Sequence, residues 1–172
     1  MAGLSKQQVP SSRTAAVLDG LHVIPAARQV QTPVGSVALM PTPEELAAVW
    51  STMPFAQSIG SELLEADAAA VRAEIAWHES RCTAGGMLHG GVLMSLADSA
   101  AAVCAFLNLP EGAAGTTTVE SKTNFLRGVR EGTVTATSKP LHKGRRFVVV
   151  ETELTDDQDR LVAKVTQTQA VL

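Results

Sequence analysis

Between Arg81 and Glu111 the chain carries a single carboxylate, Asp98, nine residues after His89 in the run His89-Gly90-Gly91-Val92-Leu93-Met94-Ser95-Leu96-Ala97-Asp98. A carboxylate is rarely buried without a partner, because losing its hydration costs several kcal/mol or shifts its pKa. Asp98 therefore requires a partner, a wet cleft or a chemical task, and a carboxylate can serve as general base or nucleophile. The glycines offer the complementary chemistry. A glycine-led helix start presents N–H groups with no intrahelical acceptor, its dipole favours negative charge, and the missing side chain allows close approach to the backbone.

Those residues need elements to hold them. From Gly90 to about Asn108 the sequence is apolar all the way round, the pattern of a helix buried on every side, and Leu109-Pro110-Glu111-Gly112 ends it. Upstream, Thr42-Pro43-Glu44-Glu45 combines an N-cap threonine, a first-position proline and a glutamate three residues after the cap, which predicts a short helix to about Met53. Leu46, Val49 and Trp50 form its apolar stripe. Val71, Ala73, Ile75 and Trp77 alternate with Arg72, Glu74, Ala76 and His78, as in a strand with one covered face. The loop Thr83-Ala84-Gly85-Gly86 then leads to His89.

After the apolar helix the pattern is all β. Thr116 to Leu126, Gly132 to His142, Arg145 to Leu154 and Leu161 to Val171 read as strands, with connections short enough for antiparallel hairpins. A helix apolar on every side needs a surface that wraps it, so the expected fold is α+β, an antiparallel sheet of five or six strands around one long helix. Residues 41–172 form that single domain. Residues 1–40, with Pro10, Pro25 and Pro33 and no sustained period, read as an extension, either flexible or packed across a neighbouring subunit.

Composition excludes several classes of function. The 172 residues are 45% hydrophobic and 18% charged, enough apolar material for a real core. A formal charge of −3 with 3% aromatics and no tyrosine argues against nucleic acid as a partner. Cys82 and Cys104 are too widely spaced for a CxxC motif and too few for a disulfide framework, which fits a reducing cytoplasm, and the first residues lack the apolar core of a secretory signal. No membrane span is expected, since Asp98 sits in the middle of the one apolar run that approaches the necessary length. His22, His78, His89 and His142 show no metal-ligand spacing, so no metal is expected.

His89-Gly90-Gly91 followed by an apolar helix with Asp98, then Thr118-Val119-Glu120 and Asn124-Phe125-Leu126-Arg127, resembles the hotdog-fold acyl-CoA thioesterases of the phenylacetic-acid-degradation type. The resemblance covers about residues 55–172. It implies thioester hydrolysis of an aryl- or fatty acyl-CoA, with coenzyme A as part of the substrate and no separate cofactor. It further implies that Asp98 is general base or nucleophile, that the Gly90 N–H polarises the thioester carbonyl, and that His89 sits beside the thioester and positions the loop. Thr118 falls where relatives often carry a hydroxyl near the acid, and Gly91 belongs with the substrate-binding residues. Thr83 stands where many relatives have an asparagine or glutamine, and a threonine reaches less far.

Geometry adds a constraint. Gly90 and Asp98 are about 12 Å apart along one helix at 1.5 Å per residue, whereas one reacting carbonyl needs both within about 3 Å. Two antiparallel helices related by a two-fold axis would bring the start of each near the middle of the other and make two equal sites. The resemblance implies the same homodimer, with a dimer of dimers as a further option. Lys122, Arg127, Arg130, Lys143, Arg145 and Arg146 read either as a charged sheet edge or as holders of the coenzyme A phosphates, for which Arg127, Arg145 and Arg146 are the candidates.

The alternative to an enzyme is a non-catalytic acyl-CoA binding or regulatory protein of the same fold. A dehydratase acting on hydroxyacyl thioesters is a third option.

Overall fold

The computed structural model describes residues 29–32, 35–38 and 42–172. Most of the expected extension lies outside the described residues. Two short strands there, β1 (Gln29–Thr32) and β2 (Gly35–Ala38), pair antiparallel with each other.

Helix α1 (Pro43–Ser51) starts as its sequence requires. Thr42 Oγ1 accepts from the Glu45 N–H at 3.3 Å, and Glu45 Oε2 accepts from the Thr42 N–H at 2.8 Å, a reciprocal capping box. Its stripe of Leu46, Val49 and Trp50 is buried, and the Trp50 indole donates to the Ser61 carbonyl at 2.9 Å. A second short helix, α2 (Pro54–Ser58), leads into strand β3 (Ser61–Ala66), which pairs with β4 (Val71–Ala76). Helix α3 (Gly90–Phe106) follows, then β5 (Thr116–Phe125), β6 (Thr133–Lys143), β7 (Phe147–Asp156) and β8 (Leu161–Val171).

The six strands form one antiparallel sheet in the order β3-β4-β6-β7-β8-β5 around α3, the hotdog arrangement. One expected connection differs. The segment between β5 and β6 reads as a hairpin turn, yet β5 pairs with β8 at the sheet edge, and β6 lies between β4 and β7. The Leu126 and Arg127 N–H groups both donate to the Val162 carbonyl, which holds the chain against β8 as it leaves β5 to cross over to β6.

The burial of α3 also differs from its apolar pattern. Leu93, Leu96, Ala97, Ala100, Ala101, Val103, Cys104 and Ala105 are buried against the sheet, but Met94 is 39% exposed and Asp98 is exposed. A sheet curls around one side of a helix, so a single chain leaves the opposite stripe uncovered whatever its composition. Met94 and Asp98, four residues apart, share that stripe.

Candidate active site

The loop before α3 is shaped by its glycines. Gly85 and Gly86 both have positive φ, +91° and +73°, a conformation other residues rarely adopt, and they turn the chain back so that the Thr83 N–H donates to Met87 O at 2.8 Å. Trp77 and Arg130 brace the turn by donating to the Gly86 and Gly85 carbonyls. His89 then arrives at the N-cap of α3, with its N–H bonded to Arg81 O at 2.9 Å.

The first N–H groups of α3 are divided unequally. The Gly91 N–H donates to His89 Nδ1 at 2.8 Å, while those of Val92 and Leu93 turn to the His89 carbonyl. The Gly90 N–H has no acceptor among the described residues. His89 Nδ1 is taken up as an acceptor, which leaves Nε2 as the ring nitrogen that bears a proton. Gly91 is thus held at the site through His89, and Gly90 is the donor left over.

Gly90 opens into a cleft of about 420 Å³ whose lining includes Thr83, Met87, Leu93, Phe125 and Arg127. The Phe125 ring lies over Gly90 so closely that a Cβ on Gly90 would stand 3.0 Å from Phe125 Cζ. Asp98 is absent from this lining.

Asp98 occupies a separate polar nest. Its Oδ1 accepts from Thr118 Oγ1 at 3.1 Å and from Gln167 Nε2 at 2.7 Å. Gln167 also donates to Thr118 Oγ1 at 3.0 Å, and Gln169 donates to the same oxygen at 2.8 Å. The two glutamines, on β8, are 0% and 1% exposed. Sequence reading found Thr118 but missed both, although their signal was present. Ala163, Val165, Gln167 and Gln169 are in phase along β8, so a strand with one covered face turns all four inward.

The basic residues divide. Arg127 borders the cleft, whereas Arg145 and Arg146 sit at the β6–β7 tip, where Phe147 aligns with Ala170 of β8, and Ala170 with Thr117 of β5. Phe125 instead aligns with Ala163, seven residues and about 23 Å away along β8. The candidate arginines clustered in sequence thus lie at opposite ends of the sheet in one chain, and Lys122, aligned with Thr166, lies between them. Among the described residues no three His, Cys, Asp or Glu side chains gather as metal ligands, and no helix is long and apolar enough to cross a membrane.

Residues 85–163 match the family model of the thioesterase superfamily. A Mycobacterium tuberculosis protein named as an esterase is 32% identical over 128 residues, covering 73% of this chain and 91% of that protein. Its solved structure superposes with a TM-score of 0.67 over 70% of this chain and 97% of its own. The 1,4-dihydroxy-2-naphthoyl-CoA hydrolase of Escherichia coli is 38% identical over 87 residues, 51% of this chain and 63% of that enzyme. The structure of a thioesterase from Haemophilus influenzae, 26% identical, gives a TM-score of 0.70 over 77% of this chain and 91% of that one.

Proposed function

The chain belongs to the thioesterase superfamily, and on that footing we propose that it hydrolyses the thioester of an aryl- or fatty acyl-CoA to the free acid and coenzyme A. The observation that carries this reading is the unengaged N–H of Gly90 at the wall of an apolar cleft. That N–H donates to the thioester oxygen, where negative charge builds as the carbonyl carbon becomes tetrahedral. Asp98 takes a proton from water, the hydroxide adds to the carbonyl carbon, and collapse breaks the C–S bond. The proton passes to the departing sulfur. Direct attack by the carboxylate, followed by hydrolysis of the resulting anhydride, uses the same two groups.

We further infer that the active unit is a homodimer. Support comes from the roughly 12 Å of helix rise between Gly90 and Asp98, from the uncovered stripe of Met94 and Asp98, and from β5, a ten-residue strand at the sheet edge. Antiparallel pairing of two β5 edges would set the Thr118 end of one chain beside the Phe125 end of the other. Asp98 would then face the cleft of the second copy, and Arg145 and Arg146 would join the Arg127 of that cleft as a site for the coenzyme A phosphates.

Hydrolysis of a panel of aryl- and fatty acyl-CoAs, followed as thiol release, tests the activity. Turnover of at least one substrate, with a loss of about 10²-fold or more in Asp98→Asn, is expected. Saturable binding without turnover would favour the non-catalytic alternative. Unimpaired Asp98→Asn would remove Asp98 from the chemistry.

A further inference from the structure

We propose that Gln167 is a positioning residue that turns Asp98 so that one carboxylate oxygen is tied and the other is presented to the reacting water or carbonyl. The inference rests on the reading of Asp98 as base or nucleophile, and on a hydrogen-bond network whose direction can be worked out atom by atom.

Thr118 Oγ1 has one proton and two lone pairs. Both lone pairs are occupied, by Gln167 Nε2 at 3.0 Å and Gln169 Nε2 at 2.8 Å. The hydroxyl proton has one acceptor left, Asp98 Oδ1 at 3.1 Å. Gln167 gives its second bond to the same oxygen at 2.7 Å. Two donors therefore converge on Oδ1. Oδ2 receives no bond among the described residues. Behind the amides the contacts are weaker: the single Thr116 hydroxyl proton is shared between the Ala170 carbonyl at 2.9 Å and Gln169 Oε1 at 3.2 Å, and Ser121 Oγ stands 3.5 Å from Gln167 Oε1.

Burial gives the arrangement its meaning. An amide placed on an inner sheet face costs stability unless its hydrogen bonds are made. Two adjacent inward positions of β8 carry glutamine, and Gln167 spends its shortest bond on Asp98. An aspartate side chain free to rotate would present either oxygen in several directions, whereas here two donors tie Oδ1 and leave Oδ2 unbonded among the described residues. Precise placement of a reacting group contributes to kcat through orientation, without a contact to substrate.

The test uses the full chain and the acyl-CoA that it turns over best. Gln167→Met keeps length and removes the amide. The expected result is a fall in kcat of about 10- to 100-fold with KM within about threefold, because the side chain lies behind Asp98 and outside the cleft. Thr118→Val removes the other donor to the same oxygen and should act the same way, and Thr118→Ser should recover most of that loss. If circular dichroism shows Gln167→Met unfolded, the exposed strand position 118 still decides. Should Asp98→Asn abolish activity while Gln167→Met, or in its place Thr118→Val, keeps kcat within twofold, the positioning role is overturned and the proposed function stands. A rise in KM at unchanged kcat overturns it equally. Full activity in Asp98→Asn instead sinks the underlying reading of the site.

Discussion

The Gly91 N–H donates to His89 Nδ1 across 2.8 Å, so the histidine beside the site is committed to capping α3. A ring nitrogen that accepts cannot also carry a proton, so the ring proton belongs to Nε2. Among the described residues the cap leaves the Gly90 N–H as the free donor of the helix start.

His89→Ala should lower unfolding free energy by about 1 kcal/mol through loss of the cap, while His89→Asn, which can still accept from the backbone, should retain most of it. Urea denaturation of both variants checks the difference.

Gly90→Pro isolates the donor. Proline is tolerated at the first helical position, and His89, at φ −66° and ψ 134°, already has the extended backbone that a residue before proline needs. The helix should survive while kcat falls by about 10²- to 10³-fold. Gly90→Ala keeps the N–H but pushes on the Phe125 ring, so comparing the two separates lost donation from crowding.

Met94→Lys places a charge on the uncovered stripe of α3, four residues from Asp98. Sedimentation should show the proposed dimer weakened toward monomer with activity lost in parallel, whereas a monomeric variant that remains fully active would refute the shared site.

Arg145→Ala with Arg146→Ala should raise KM for acyl-CoA by about 10-fold or more and leave the matching acyl-pantetheine, which lacks the nucleotide phosphates, unaffected. Equal effects on both substrates would assign these arginines to the sheet edge alone.

Burial pushes the Cys104 thiol from its ordinary value of 9.0 up to about 12, with Lys143 opposing and Asp67 adding slightly. An unfolded thiol ionises near 9, so this contribution to stability is complete below pH 9 and is lost progressively as pH rises toward 12. Cys104→Ala should lack that alkaline component in denaturation curves. In the native protein a thiol reagent should label Cys82, which is partly exposed, and reach Cys104 only in denaturant.

Local signals were legible wherever one residue's environment follows from its neighbours in the chain. The capping box at Thr42, the glycine start and proline stop of α3, and the alternation of the strands all lie within a few residues of what they control. The β5 edge was not legible, because a turn-like segment after Leu126 has the same composition whether the next strand pairs alongside or crosses the sheet. The uncovered face of α3 was hidden for a related reason: Met94 is apolar, and its type alone does not record that the sheet of its own chain leaves it exposed.

By itself the sequence determined the lone carboxylate of the apolar helix, the glycine-led helix start and the roughly 12 Å between them, since one helix has one rise per residue. Only the tertiary structure decided what Asp98 touches. Gln167 lies 69 residues further along the chain and meets it only because β5 and β8 are paired at the sheet edge under α3. Strand phase could turn a glutamine inward, but the order of strands chose its partner.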